Sequence, residues 1–201
     1  VRPLVTLLSC AASGGKAEDA VDAALAVELL HAASLVHDDV MDHASLRRGR
    51  PTVHKAYGTS AALLCGDYLV ALAYRCMLET PAAAREKALG LMTSTYRTLC
   101  EGQALEEEVN GTGRPTAELL LSVIEKKTAS LMELAAALGA LIGKAGPEGE
   151  RALADFGRNL GIAFQIQDDI LDLTGSESET GKDSMLDVKN RKVTFARETS
   201  V

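Results

Sequence analysis

Three carboxylates, Asp38, Asp39 and Asp42, close an apolar run over residues 29–37, and His31 stands seven residues ahead of the first of them. At about 100° per residue, a helix would carry Asp38 and Asp42 on one face, set Asp39 at its shoulder and bring His31 nearly into line with Asp38. Carboxylates this crowded raise one another's pKa unless a cation neutralises them, and hard oxygen ligands suit Mg²⁺ shared with a phosphorylated substrate. The plain alternative is a solvated acidic helix end. The same spelling recurs at Asp168, Asp169 and Asp172, within a second apolar run over 160–173. If the two helices face one cavity, they form two acidic jaws that could clamp Mg²⁺ around a diphosphate and favour its departure as an anion.

Basic groups lie close to the first jaw. Arg47, Arg48 and Arg50 crowd around Gly49 in a loop over 46–52 that ends in Pro51-Thr52. Guanidinium groups grip phosphate oxygens bidentately, so adjacent arginines directly after an acidic motif suit two separate diphosphates. Further on, Lys127 and Thr128 precede a run of Leu, Met and Ala. A lysine directed into an apolar bundle is costly unless it meets an anion; Lys126 competes for that place if the helical register slips. Gln165 lies one turn before Asp169. Glu106, Glu107 and Glu108 read as a solvated face, and His37, His43 and His54 as structural or surface residues.

These groups need helices to position them. The chain has 201 residues, 47% of them hydrophobic, with no Trp. Its wealth of Ala and Leu favours a single all-α domain over 1–201, whose helices would form a bundle around a central cavity if the two acidic motifs face one another. Apolar spacing predicts helices over 4–12, 17–42, 57–79, 82–110 and 116–142, and a last long one from 146, with Phe164, Ile166, Ile170 and Leu173 as apolar contacts. Neither strand alternation nor a glycine-rich nucleotide fingerprint is present. A net charge of −7 argues against nucleic-acid partners. Cys10, Cys65, Cys76 and Cys100 lack metal-ligand spacing and read as reduced core residues. No apolar run is expected to reach the ~18 residues of a membrane span, and the expected location is cytoplasmic. Both ends look cut, so terminal helices are expected to be missing.

The sequence resembles the trans-isoprenyl diphosphate synthases, or polyprenyl synthetases. The matching stretches are HAASLVHDDVMD at 31–42, LRRGRPT at 46–52, Gly66-Asp67-Tyr68-Leu69, Cys100-Glu101-Gly102-Gln103, Lys127-Thr128 and FQIQDDILD at 164–172, in family order. The resemblance implies an antiparallel isoprenoid synthase-like bundle, three Mg²⁺ per site and a homodimer. It also implies the partition of the site. Arg2, His31 and Arg48 would hold isopentenyl diphosphate. Arg47, Lys127, Lys182 and Lys192 would hold the allylic diphosphate, and Thr128 and Gln165 would stand beside the forming cation. Lys192 departs from the family pattern, since Arg191 takes the place of the usual glycine.

The implied reaction is head-to-tail condensation of isopentenyl diphosphate with an allylic diphosphate. Product length should depend on residues one and two turns ahead of Asp38, namely Ser34 and Ala33, then Leu30 and Val27. Farnesyl-forming relatives tend to carry aromatic rings there, so these small residues predict a product of C20 or longer. A class I terpene cyclase usually carries Asn, Ser and Glu in its second metal motif, and a noncatalytic partner subunit should have lost an aspartate cluster. This chain keeps both clusters.

Overall fold

The computed structural model describes residues 1–112 and 115–174. The Ala- and Leu-rich chain forms helix almost throughout. In order come α1 (Arg2–Ala12), a 3₁₀ segment (Ala17–Ala20), α2 (Val21–Met41), a small ribbon of β1 (Leu46–Arg47) and β2 (Arg50–Pro51), and α3 (Val53–Tyr57). Then follow α4 (Thr59–Leu78), α5 (Ala82–Thr112), α6 (Ala117–Ile124), a π-helical turn (Glu125–Ala129), α7 (Ser130–Ile142) and α8 (Gly146–Thr174).

The bundle is organised around α7. This helix is apolar on nearly every side, and Leu131, Met132, Leu134, Ala135, Ala136, Leu138 and Ala140 are all buried. A helix of that kind has to be covered all round, and α1, α2, α5 and α8 pack against it. The second main contact is α2 on α4. Between them, Val27, Leu30, Ala73, Met77, Met92 and Leu138 join one continuous core. At the entry to α6, the Thr116 hydroxyl accepts a hydrogen bond from the Leu119 N–H at 3.3 Å, an N-cap that fixes where the helix starts.

Several expectations change here. The helix expected over 17–42 begins as a 3₁₀ segment, and the one expected over 116–142 is interrupted by the π-helical turn. The stretch read as a loop over 46–52 contains a two-stranded antiparallel ribbon. Two helices, Ala17–Met41 and Thr59–Leu78, are long and apolar enough to cross a membrane, with mean hydropathies of 1.4 and 1.5. That corrects the expectation that no run reaches such a length. In this fold the two pack against each other, and small apolar residues that fill helix contacts give the same hydropathy as a span. All four cysteines are free, but only Cys10 is buried, whereas Cys100 is exposed. Phe164 and Ile170, read as apolar contacts, are 44% and 42% exposed.

Candidate active site

One cavity of about 1550 Å³ opens between the helices, and both acidic motifs line it. The end of α2 contributes Asp38 and Asp42, and α8 contributes Asp168 and Asp169. Asp39 is placed differently. It is 4% exposed and accepts a hydrogen bond from Arg47 Nε at 2.8 Å. Helix geometry sets it about 100° from Asp38, towards the ribbon rather than the cavity. Of the three α2 carboxylates, Asp39 thus anchors an arginine, while Asp38 and Asp42 line the cavity.

The ribbon explains how the arginines are held. Leu46 pairs with Pro51 and Arg47 with Arg50, and the connecting residues Arg48 and Gly49 have φ of 51° and 74°. Positive φ at both positions is the type I′ pattern that matches the twist of paired strands. Gly49 adopts it freely, whereas Arg48 does so at a cost of about 1 kcal/mol. Thr52 closes the base of the ribbon, its hydroxyl donating to the Ala44 carbonyl at 2.7 Å. Arg47 and Arg48 line the cavity.

Arg2 and His31 complete a cationic corner of the same cavity. Burial lowers the Arg2 pKa, opposed by Glu28, and its buried Nε has no hydrogen-bond partner. An orphaned, cavity-lining guanidinium nitrogen is a donor waiting for an anion. Burial pushes the His31 pKa down to about 3, with Arg2, Arg48 and Arg47 adding to the effect. His31 is therefore neutral at pH 7, and its ring and the arginines act within one electrostatic neighbourhood.

The π-helical turn between α6 and α7 delivers Lys127 and Thr128. Lys126 points outward to Glu101 at 3.1 Å, while Lys127 lines the cavity. The Lys127 ammonium lies 2.6 Å from Glu106 and 3.8 Å from Asp38. Thr128 donates its hydroxyl proton to Gln165 Oε1 at 2.8 Å, and Gln165 Nε2 donates to Asp169 at 2.9 Å. A three-residue relay thus ties the wide turn to the second jaw. It depends on α5 lying hard against the turn. At Gly102, an added Cβ would fall 2.7 Å from the Lys127 backbone nitrogen.

Some placements differ from the sequence reading. Glu106 is half-buried in the cavity wall and pairs with Lys127, so it is not part of a solvated face. The signal for it lay in the spacing of Leu99, Gln103 and Glu106 along one side of α5, all of which line the cavity. His37 packs over Gly66, where an added Cβ would fall 2.1 Å from its Nε2, and it also lies 3.6 Å from Asp67. Of the four residues expected to set product length, Ser34 lines the cavity. Ala33, Leu30 and Val27 are buried in the core behind it. Lys182 and Lys192 lie outside the described residues, as does the Asp172 side chain.

The donor set fits Mg²⁺. Carboxylate oxygens from two walls face the cavity. Among the described residues, no three acidic, His or Cys groups form a preformed cage. Carboxylate oxygens are the hard donors that Mg²⁺ takes one or two at a time, completing its shell with water and substrate phosphate oxygens.

Known proteins bear on this geometry. The chain is 41% identical over 199 residues to the geranylgeranyl diphosphate synthase of Sulfolobus acidocaldarius, a match covering 97% of this chain and 60% of that one. The crystal structure of geranylgeranyl pyrophosphate synthetase from Pyrococcus horikoshii superposes with a TM-score of 0.92 at 41% identity, over 97% of this chain and 60% of that one. That of the polyprenyl synthase from Caulobacter crescentus, complexed with calcium and isoprenyl diphosphate, gives 0.91 at 35% identity, over 96% and 58%. The chain therefore spans about three fifths of the length of these relatives. The family model for polyprenyl synthetases matches residues 1–200. A match of that extent, together with a fold shared over almost every residue, makes the chain a member of the polyprenyl synthetase family.

Proposed function

We propose that the protein is a Mg²⁺-dependent prenyltransferase that condenses isopentenyl diphosphate head-to-tail with an allylic diphosphate, giving a linear polyprenyl diphosphate of C20 or longer. The observation that carries this reading is the convergence of Asp38, Asp42, Asp168, Asp169, Lys127 and the Arg2–His31–Arg48 corner on one cavity.

In this reading Asp38, Asp42, Asp168 and Asp169, with Asp172, would hold three Mg²⁺, which would supply charge neutralisation for a leaving diphosphate. Lys127 and Arg47 bind the allylic diphosphate, joined by Lys182 and Lys192. Arg2, Arg48 and the neutral His31 orient isopentenyl diphosphate, His31 as a hydrogen-bonding group rather than a charge. The Thr128 hydroxyl and Gln165 amide, held by their mutual hydrogen bond, present oriented dipoles to the positive charge that develops on the allyl group. Leu99, Leu120, Val123, Ile124, Leu131 and Phe164 line the apolar part of the cavity and keep water from the cation. Electron flow is simple: the allylic C–O bond breaks, the double bond of isopentenyl diphosphate attacks, and a proton leaves to the released diphosphate.

Length is read from Ser34, a small side chain one turn ahead of Asp38 on the cavity wall. Ala33 is 1% exposed, so a bulky residue there would disturb the core before it reached a product tail. We propose further that the protein is a cytoplasmic homodimer formed through α4, a reading supported by its exposed Leu63, Leu64, Tyr68 and Leu78.

Incubation with Mg²⁺, labelled isopentenyl diphosphate and a set of allylic primers tests the reading. Linear products of C20 or longer are expected, shortened by Ser34→Phe. A cyclic product, or none, rejects it.

A further inference from the structure

We propose that Glu106 is a positioning residue that holds the Lys127 ammonium off Asp38, leaving the first acidic jaw able to accept a divalent cation. The inference rests on the metal-clamp reading above and extends it to a residue that would not itself touch metal or substrate.

Lys127 stands between two carboxylates from different helices. Its Nζ is 2.6 Å from Glu106 on α5 and 3.8 Å from Asp38 on α2. The first separation is a short charge-assisted hydrogen bond, and the second is an ion pair with no hydrogen bond. All three side chains are about one-fifth exposed, at 20%, 19% and 18% for Lys127, Glu106 and Asp38, so bulk water screens them only in part. An ammonium on a four-carbon stem is a mobile point charge and settles on the nearer, better-aligned anion. Neutralising Glu106 removes that anion while Asp38 remains within reach. The ammonium then moves towards Asp38 and occupies the place of a divalent cation.

The scaffold keeps Glu106 at the right distance. Gly102, one turn earlier on α5, lies against the backbone of Lys127 itself, and a Cβ there would meet Lys126 Cβ at 2.8 Å. The helix bearing Glu106 and the turn bearing Lys127 are therefore in fixed register. Lys126 is drawn to Glu101 on the same helix, so it does not compete for Glu106. A merely structural salt bridge would not need to sit in the cavity wall, yet Glu106, Lys127 and Asp38 all line it.

The test measures Mn²⁺ uptake by the full chain in the presence of inorganic diphosphate, following free Mn²⁺ by electron paramagnetic resonance. Glu106→Gln should raise the half-saturating Mn²⁺ concentration about fivefold, the weight of one partly screened charge pair. In a Lys127→Ala background the same change should have almost no effect. Glu106→Asp, which keeps the carboxylate, should stay near wild type, and so should Glu108→Gln, which removes an exposed charge from the same helix. Two results overturn the inference alone: an unchanged affinity in Glu106→Gln, or an equal loss with and without Lys127, which would mean that Glu106 acts on the ion directly. A wild-type chain that takes up no Mn²⁺ with diphosphate overturns the metal-clamp reading as well.

Discussion

The two acidic jaws share one spelling but are held by different chemistry. On α2, the neighbours of the carboxylates are cations: Arg47 on Asp39 at 2.8 Å and Lys127 near Asp38 at 3.8 Å. On α8, Asp169 accepts from a neutral amide, Gln165 Nε2, at 2.9 Å, itself oriented by Thr128. In each pair the second aspartate is the more buried, at 4% for Asp39 and 6% for Asp169. The first jaw is thus held against a basic ribbon and a lysine, and Asp169 of the second is oriented by an amide. The repeated motif is supported by different side chains at its two copies, and its letters alone do not tell them apart.

The strongest challenge to this comparison is to remove the leading carboxylate from each jaw. Asp38→Asn and Asp168→Asn should each lower kcat by roughly 10²–10³-fold, the loss expected when a charge-stabilising group is deleted. If Asp168→Asn keeps most of the activity, the second jaw is not a partner of the first. Next in size is Gln165→Ala, which removes the amide that orients Asp169. It should weaken Mg²⁺ binding by about 10- to 100-fold, measured by titrating the metal dependence of turnover, with little change in melting temperature. Arg47→Ala should show the opposite pattern on the first jaw. It leaves the nearly buried Asp39 without its guanidinium, so the chain should lose about 1–3 kcal/mol of stability, read from denaturant unfolding.

The smallest effect is on pH dependence. The folded His31 pKa of about 3 lies below its ordinary value of 6.5, so the unfolded chain binds a proton that the folded chain refuses. Nothing is lost above pH 6.5, and stability falls as pH drops from there towards 3. His31→Gln should flatten that part of the stability profile while leaving the neutral region unchanged. A profile that keeps its slope would place the histidine outside the cationic corner.

Much of this was legible from residue order. The helices are visible in their apolar spacing; in the structure Lys127 lines the cavity while Lys126 pairs with Glu101. Other features left no mark on periodicity. The π-helical turn adds to the helical path without changing the run of Leu and Ala on either side. The ribbon at 46–52 has strands of two residues, too short for alternation to register. Glu106 is hidden in a run of three glutamates, where two exposed neighbours mask the half-buried one. Phe164 and Ile170 were misread for a different reason. Spacing shows that a face is apolar, but what covers it depends on the rest of the assembled molecule.

The wide turn at Glu125–Ala129 also makes the site vulnerable in one specific way. Deleting a single residue there would let the flanking segments join as one regular α-helix, better formed by every local criterion. The deletion would also rotate every upstream side chain by about 100° relative to α7. Loss of the irregularity would therefore improve the helix and misalign Lys127, so drift towards local regularity at this point would be selected against by chemistry rather than by folding.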